Sequence, residues 1–244
     1  MYDKPRFLAG GDKAFFIEFG NAVAPALQRR VQHLMLVIRN EKIPGLVEAI
    51  PTYRSLLIHY DPLQTSPKEL RDRLEGLEQR LEDSEFPKPT VTEIPAVYGG
   101  EYGPDLEFVA KHNGLTPEEA VQIHTSTTYL IYMIGFLPGQ PYLGGMSSRI
   151  ATPRLETPRT RVLRGSVGIA GNLTGIYAVE SPGGWQIIGR TPIRLFNPHK
   201  EPPALLQAGN YVTFVRITPQ EYTRIEEMVQ QGTYKVKETP WCEG

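Results

Sequence analysis

The sequence predicts a small α+β domain on an antiparallel sheet over residues 1–88, followed by a β-barrel domain with a few helices over residues 89–244. Three observations carry this reading. The first 90 residues run strand, strand, helix, strand, strand, helix, an order that suits a two-layer sandwich. Beyond Pro89, short apolar runs punctuated by Gly and Pro dominate, as in strands joined by tight turns. Between the two lies Glu82 to Pro89, charged and proline-containing, which reads as a linker.

Each element has its own signal. Arg6 to Ala9 and Ala14 to Phe19 flank the break Gly10-Gly11-Asp12 and read as a hairpin. Asn21 is positioned to cap a helix whose apolar residues Val23, Leu27, Val31, Leu34 and Ile38 recur every three or four positions. Gly45 to Pro51 and Tyr53 to Tyr60 are extended, with Leu56 and Ile58 on one face. Ser66-Pro67-Lys68-Glu69 is a helix start with a capping box, and the helix is expected to reach Leu81 on a stripe of Leu70, Leu74, Leu77 and Leu81. Val91 to Tyr98 is a strand. Asp105 to His112 is a short helix closed by Asn113-Gly114, and Thr116-Pro117-Glu118-Glu119 opens another through His124. Tyr129 to Phe136 and Tyr211 to Arg216 are strands, and Pro219 to Gln230 is the closing helix.

Composition narrows the function. The net charge of −1 argues against a nucleic-acid binder. The first residues, MYDKPRFLAGGDK, carry charges where a secretion signal needs an apolar core. The longest apolar run, Tyr129 to Leu137, is far short of the roughly 20 residues that cross a bilayer. The cytoplasm is therefore the expected compartment. The single cysteine, Cys242, makes no internal disulfide, and His33, His59, His112, His124 and His199 show no metal-ligand spacing, so no metal is expected.

The most informative stretch is Gly135 to Pro192. It holds 11 of the 23 glycines, and its six arginines face two acids, so it is +4 while the rest of the chain is −5. Arginine without lysine suits carboxylate or phosphate recognition. Arg154 and Arg159 each follow Thr-Pro, which stiffens the approach to them, although arginines at strand ends also simply solvate a surface. Gly165, Gly168 and Gly171 lack the Lys-Ser/Thr ending of a phosphate loop. They read either as strand turns or as bare N–H groups lining an anion concavity. Gln140 is a candidate reader of an amide, Arg190 a further anion contact, and Trp185 either core or ligand platform. His124, at a helix end, is either a structural cap or an acid–base group.

Several of these motifs together closely resemble one family. They are His124 with Tyr129, Gly135-Phe-Leu-Pro-Gly-Gln-Pro-Tyr-Leu-Gly144, Thr157-Pro-Arg159, Gly165-Ser-Val-Gly-Ile-Ala-Gly171, Thr174-Gly-Ile-Tyr177, and Ser181-Pro-Gly-Gly-Trp185 through Ile188-Gly-Arg-Thr-Pro192. The family is that of the 5-oxoprolinase B subunit, also called allophanate hydrolase subunit 1, which includes the sporulation-kinase inhibitor KipI. The likeness is densest from about residue 91 to 215, and Gln140 departs from the family's more usual phenylalanine.

The resemblance implies a cyclophilin-like β-barrel after the small α/β domain. It implies two partners, the A and C subunits, the latter KipA-like, and an ATP-dependent 5-oxoprolinase that opens 5-oxoproline to glutamate. ATP with Mg would be a cosubstrate of the complex, bound tightly by no part of this chain. A chain that is one of three subunits is expected to be inactive alone. The alternatives are a KipI-like inhibitor of a histidine kinase and half of a biotin-dependent urea carboxyltransferase or allophanate hydrolase system. Within the enzyme reading, His124 would move a proton, while Gln140, Arg154, Arg159, Gly168, Gly171 and Arg190 would hold a small anionic substrate.

Overall fold

The computed structural model describes residues 1–78 and 87–241. The chain divides into two compact units, Met1–Pro87 and Lys88–Gly244. Leu81, residues 82–86 of the expected linker, and Cys242 lie outside the described residues.

The first unit holds β1 (Arg6–Ala9), β2 (Ala14–Glu18), α1 (Pro25–Asn40), β3 (Leu46–Pro51), β4 (Ser55–Tyr60) and α2 (Pro67–Glu78). Its four strands form an antiparallel sheet in the order β1-β2-β4-β3. The core joins Phe15, Ile17, Leu56 and Ile58 of the sheet to Leu27, Val31, Leu34 and Ile38 of α1 and Leu70, Leu74 and Leu77 of α2. Arg30 of α1 ties to Glu78 of α2. The expected capping box at Ser66 and Glu69 is present. The start of α1 differs from expectation. Pro25 sets the first turn, Ala24 is the N-cap without a side-chain bond, and Val23 is 57% exposed outside the helix. Proline at the first helical position, rather than Asn21, decides where that helix begins.

The second unit holds β5 (Thr90–Tyr98), α3 (Leu106–His112), α4 (Pro117–Thr125), β6 (Thr128–Ile134), β7 (Pro141–Gly144), β8 (Arg159–Val162), β9 (Ser166–Ala170), β10 (Leu173–Ile176), β11 (Ser181–Gly183), β12 (Gln186–Arg190), β13 (Tyr211–Arg216), α5 (Pro219–Gln230) and β14 (Glu238–Pro240). Seven strands close into a barrel in the order β12-β9-β10-β7-β6-β13-β5, with β5 returning to β12. The β13–β5 pair is parallel and its neighbours are antiparallel. β14 adds to β5, and β8 pairs with β11 as a separate ribbon.

Closure removes free sheet edges, and the enclosed core draws on every wall: Ile94, Ile131, Leu143, Val167, Ile169, Ile176, Ile188 and Phe214. Leu106, Val109 and Ala110 of α3 and Ala120 and Val121 of α4 join the same core. Thr116 and Thr218 cap α4 and α5 through full capping boxes. Among the described residues no helix is long and apolar enough to cross a membrane.

Candidate functional site: an arginine over an aromatic floor

A second, smaller apolar cluster lies apart from the barrel core. It contains Val162, Ala170, Tyr177, Trp185 and Ile187, with Tyr142 and Leu173 packed against it. The strand register explains it. Tyr142 of β7 pairs with Gly175 of β10, Gly175 with Gly168 of β9, and Gly168 with Ile187 of β12. Two adjacent glycines leave a trough in the wall, and Trp185 fills it. A Cβ on Gly175 would lie 3.0 Å from the Trp185 ring, and one on Gly168 would lie 3.1 Å from the Trp185 Cβ. Tyr142 and Tyr177 meet the indole edge-on at centroid distances of 6.0 and 6.5 Å, an arrangement favoured by the ring quadrupoles. Burial, above all, pushes the Tyr142 and Tyr177 hydroxyls up from their ordinary pKa.

The Arg154 guanidinium lies over this floor, 5.8 Å from the Trp185 ring. It is exposed, and among the described residues no carboxylate pairs with it. Arg159 is placed differently. It is one-third exposed and donates from Nη2 to the Asp105 carboxylate at 2.6 Å and from Nη1 to the Trp185 carbonyl at 3.3 Å. The other Asp105 oxygen accepts from the Ile187 amide at 2.6 Å. Gln140, two residues before Tyr142, is 3% exposed, and its Oε1 is buried without a hydrogen-bond partner. A buried acceptor left without a partner is costly.

Of the expected site residues, Arg154 is exposed without a carboxylate partner among the described residues, Arg159 is engaged by Asp105, and Gln140 is buried. Gly168 lies inside β9 and is paired on both sides, and Gly171 donates its N–H to the Thr152 carbonyl at 2.8 Å. Neither offers a bare N–H to an anion, because the run 165–171 folds as a strand and its turn. Gly168 instead makes room for Trp185. Arg190 sits at the far end of β12, where a strand rise of about 3.3 Å per residue puts it roughly 16 Å from Trp185. Its Nε donates to the Arg164 carbonyl, and its guanidinium lies 6.0 Å from the Tyr222 ring.

His124 lies in the last turn of α4. It is fully buried and contacts Phe214, Tyr129 and Tyr98 at centroid distances of 4.5, 5.3 and 5.6 Å. Its Nε2 lies 2.9 Å from Thr174 Oγ1, whose hydroxyl donates to the Gly168 carbonyl. Thr174 therefore accepts from Nε2–H, which leaves Nδ1 to accept from the Tyr98 hydroxyl at 2.9 Å. Desolvation lowers the His124 pKa from 6.5 to about 3. The imidazole is thus held neutral, with both nitrogens engaged inside the barrel core.

Asp105, Tyr142, Tyr177 and Thr174 escaped the sequence reading of the site. Asp105 read only as a helix start. The signal available for the tyrosines was their pairing with a glycine-rich run, which marks close approach of a bulky group. Among the described residues, no three His, Cys, Asp or Glu side chains gather as metal ligands.

The family model for the carboxyltransferase domain, subdomain C and D, matches residues 5–206. The B subunit of the Bacillus subtilis 5-oxoprolinase is 46% identical over 228 residues, covering 89% of this chain and 95% of that protein. The solved TTHA0988 chain matches with a TM-score of 0.76 at 35% identity over 84% of this chain, which spans only 40% of it. The urea amidolyase of K. lactis shares the fold, with a TM-score of 0.79 at 23% identity, and this chain spans 16% of it. The chain belongs to the family of the carboxyltransferase domain, subdomain C and D, in the branch that contains the 5-oxoprolinase B subunits.

Proposed function

We propose that this chain is the B subunit of an ATP-dependent 5-oxoprolinase, acting with the A and C subunits to convert 5-oxoproline to glutamate. The observation that carries this reading is the unpaired Arg154 guanidinium over the Trp185 floor, on the same wall as the orphaned Gln140 carbonyl. 5-Oxoproline bears one carboxylate and one lactam N–H. Arg154 matches the first by charge and fork geometry, and Gln140 Oε1 matches the second as an acceptor. The tyrosine and tryptophan rings supply an apolar surface for the ring carbons.

A lactam is unreactive at neutral pH. Transfer of the terminal phosphoryl group of ATP to the lactam oxygen, with ADP leaving, gives a carbon that water can attack. The role of this chain is to hold the carboxylate and orient the ring. Nucleotide binding is assigned to another chain of the complex, because the glycine run has its N–H groups engaged in the barrel. Proton transfer is likewise placed outside His124. The barrel is read as cyclophilin-like, which superposition on a cyclophilin tests directly.

The deciding experiment is co-purification with the A and C subunits, followed by ATP hydrolysis measured with 5-oxoproline, allophanate or urea. Stimulation by 5-oxoproline supports the reading, and stimulation by urea or allophanate alone overturns it. A KipI-like kinase-binding role is favoured by one observation. Phe136 is 75% exposed and holds a φ of +68° between β6 and β7. A bulky residue kept in that conformation at the surface suits a contact point for another protein. Inhibition of histidine-kinase autophosphorylation that disappears in Phe136→Ala supports this role.

A further inference from the structure

The geometry points to Asp105 as a positioning residue for the Arg154–Trp185 surface, acting through Arg159 and the backbone of β12. The assignment rests on the reading of that surface as the place where substrate binds.

Asp105 occupies the N-cap position of α3, where aspartate normally bonds the first helical N–H groups. Here its side chain makes no capping bond. The carboxylate is turned away from its own helix and buried, the residue being 8% exposed. One oxygen takes the Ile187 N–H and the other takes Arg159 Nη2, both at 2.6 Å. The Asp105 N–H in turn donates to the Ile187 carbonyl at 2.9 Å. Asp105 therefore grips residue 187 by both its donor and its acceptor. Arg159 completes the clasp by donating to the Trp185 carbonyl.

The backbone from 185 to 187 is thus fixed at three points, and Trp185 is the side chain it presents. The approach is close on this side as well: a Cβ on Gly103 would lie 2.0 Å from the Ile188 carbonyl. Charge-assisted bonds of this length are the strong ones, and they are directed at a strand end rather than at a helix cap. A carboxylate whose only purpose was to start α3 would cap it. This one locks the indole in the trough between Gly168 and Gly175, under the Arg154 guanidinium. The clasp also assigns unequal roles to the two Thr-Pro-Arg arginines. Arg159 holds the floor in place, while Arg154 remains free to meet an anion.

The test uses two readouts in the full chain carrying Trp241→Phe, which leaves Trp185 as the sole tryptophan. The first is Trp185 emission and its quenching by iodide. The second is the 5-oxoproline dependence of ATP hydrolysis by the complex with the A and C subunits. Asp105→Asn and Arg159→Gln should each shift the emission to the red and expose the ring to iodide, and the double variant should do no more than either alone. In the complex, each should lower kcat/KM by about tenfold or more, as misplacement of a positioning group does. The loss should fall mainly on KM. An unmoved Trp185 signal in both variants overturns the clasp. A moved signal with an unchanged KM overturns its service to the substrate. If the unmutated complex shows no response to 5-oxoproline, the functional reading above fails, while the iodide measurement still decides the clasp. Should Asp105→Asn fail to fold, Arg159→Gln removes the same connection from its more exposed side.

Discussion

Replacing His124 by Gln should flatten the acid side of the stability profile of the second unit. The folded pKa is about 3 because burial disfavours the imidazolium, against 6.5 for the free side chain. A histidine with a depressed folded pKa contributes stability that is present above the unfolded value and lost as pH falls, because only the unfolded chain takes up the proton. The loss begins near pH 6.5 and continues to about pH 3. At pH 5, about 1.5 units below the unfolded pKa at about 1.4 kcal/mol per unit, the difference is about 2 kcal/mol. At pH 7.5 it is close to zero.

The assay is urea unfolding at several pH values between 7.5 and 5, followed by tryptophan fluorescence. Both tryptophans, Trp185 and Trp241, lie in the second unit, so the signal reports that unit. His33, whose pKa is also lowered by burial, lies in the first unit. The capping acids Glu119 and Glu221 have lowered pKa values as well, from bonds to Thr116 and Thr218. Their contribution is lost in the same direction at lower pH and is common to both proteins. The His124→Gln protein will be less stable at every pH, but its curve should be flatter than the parent's by the stated amount. Parallel curves would mean that the imidazole is protonated in the folded state, and the accessible proton carrier would return as a candidate.

Arg154→Ala should lower the melting temperature by only about 1–4 °C, as loss of a cation–π contact of about 0.5–1 kcal/mol does, while raising the KM of the complex for 5-oxoproline. Gly175→Ala should destabilise the second unit by about 1–3 kcal/mol, as overpacking does. Its new Cβ would meet the Pro141 carbonyl at 2.9 Å and the Trp185 ring at 3.0 Å, so the Trp185 emission should shift as well. Thr116→Ala, which removes the cap of α4, should cost about 1 kcal/mol in urea unfolding, with no change in the pH slope that His124 sets.

Elements governed by local chemistry were readable from sequence, and relations between distant residues were not. The capping boxes at Ser66 and Thr116 act over three residues, so they could be recognised in the chain. The barrel closes through Gly189 and Arg190 against Tyr98 and Val97, residues roughly ninety apart that carry no mutual signal. The same limit holds around His124. His124 has the residue type and helix-end position of an acid–base group, but the pairing of β10 with β9 brings Thr174 and Gly168 around it and seals it in. The glycines at 168 and 175 were visible as a cluster. That they stand side by side and admit an indole follows only from the register.

The arginine-rich segment does not act as one anion pocket. Arg159 is neutralised by Asp105, Arg161 pairs with Glu180, and Arg164 lies 4.0 Å from Glu226. Arg190, at the other end of β12 from Trp185, bonds the Arg164 carbonyl and lies over Tyr222. An arginine paired with a carboxylate is close to neutral as a pair, so Arg159, Arg161 and Arg164 contribute little net field at the aromatic floor. Arg149 and Arg154 are exposed and pair with no carboxylate among the described residues, and of these two Arg154 has a ring face as its neighbour. That contact stabilises an exposed cation by about 0.5–1 kcal/mol without occupying its N–H donors. A guanidinium held by an indole keeps its hydrogen-bonding edge for a ligand, whereas one held by a carboxylate does not. Anion affinity at the aromatic floor should therefore follow Arg154 and be insensitive to Arg161→Gln, although the two carry the same formal charge and lie seven residues apart.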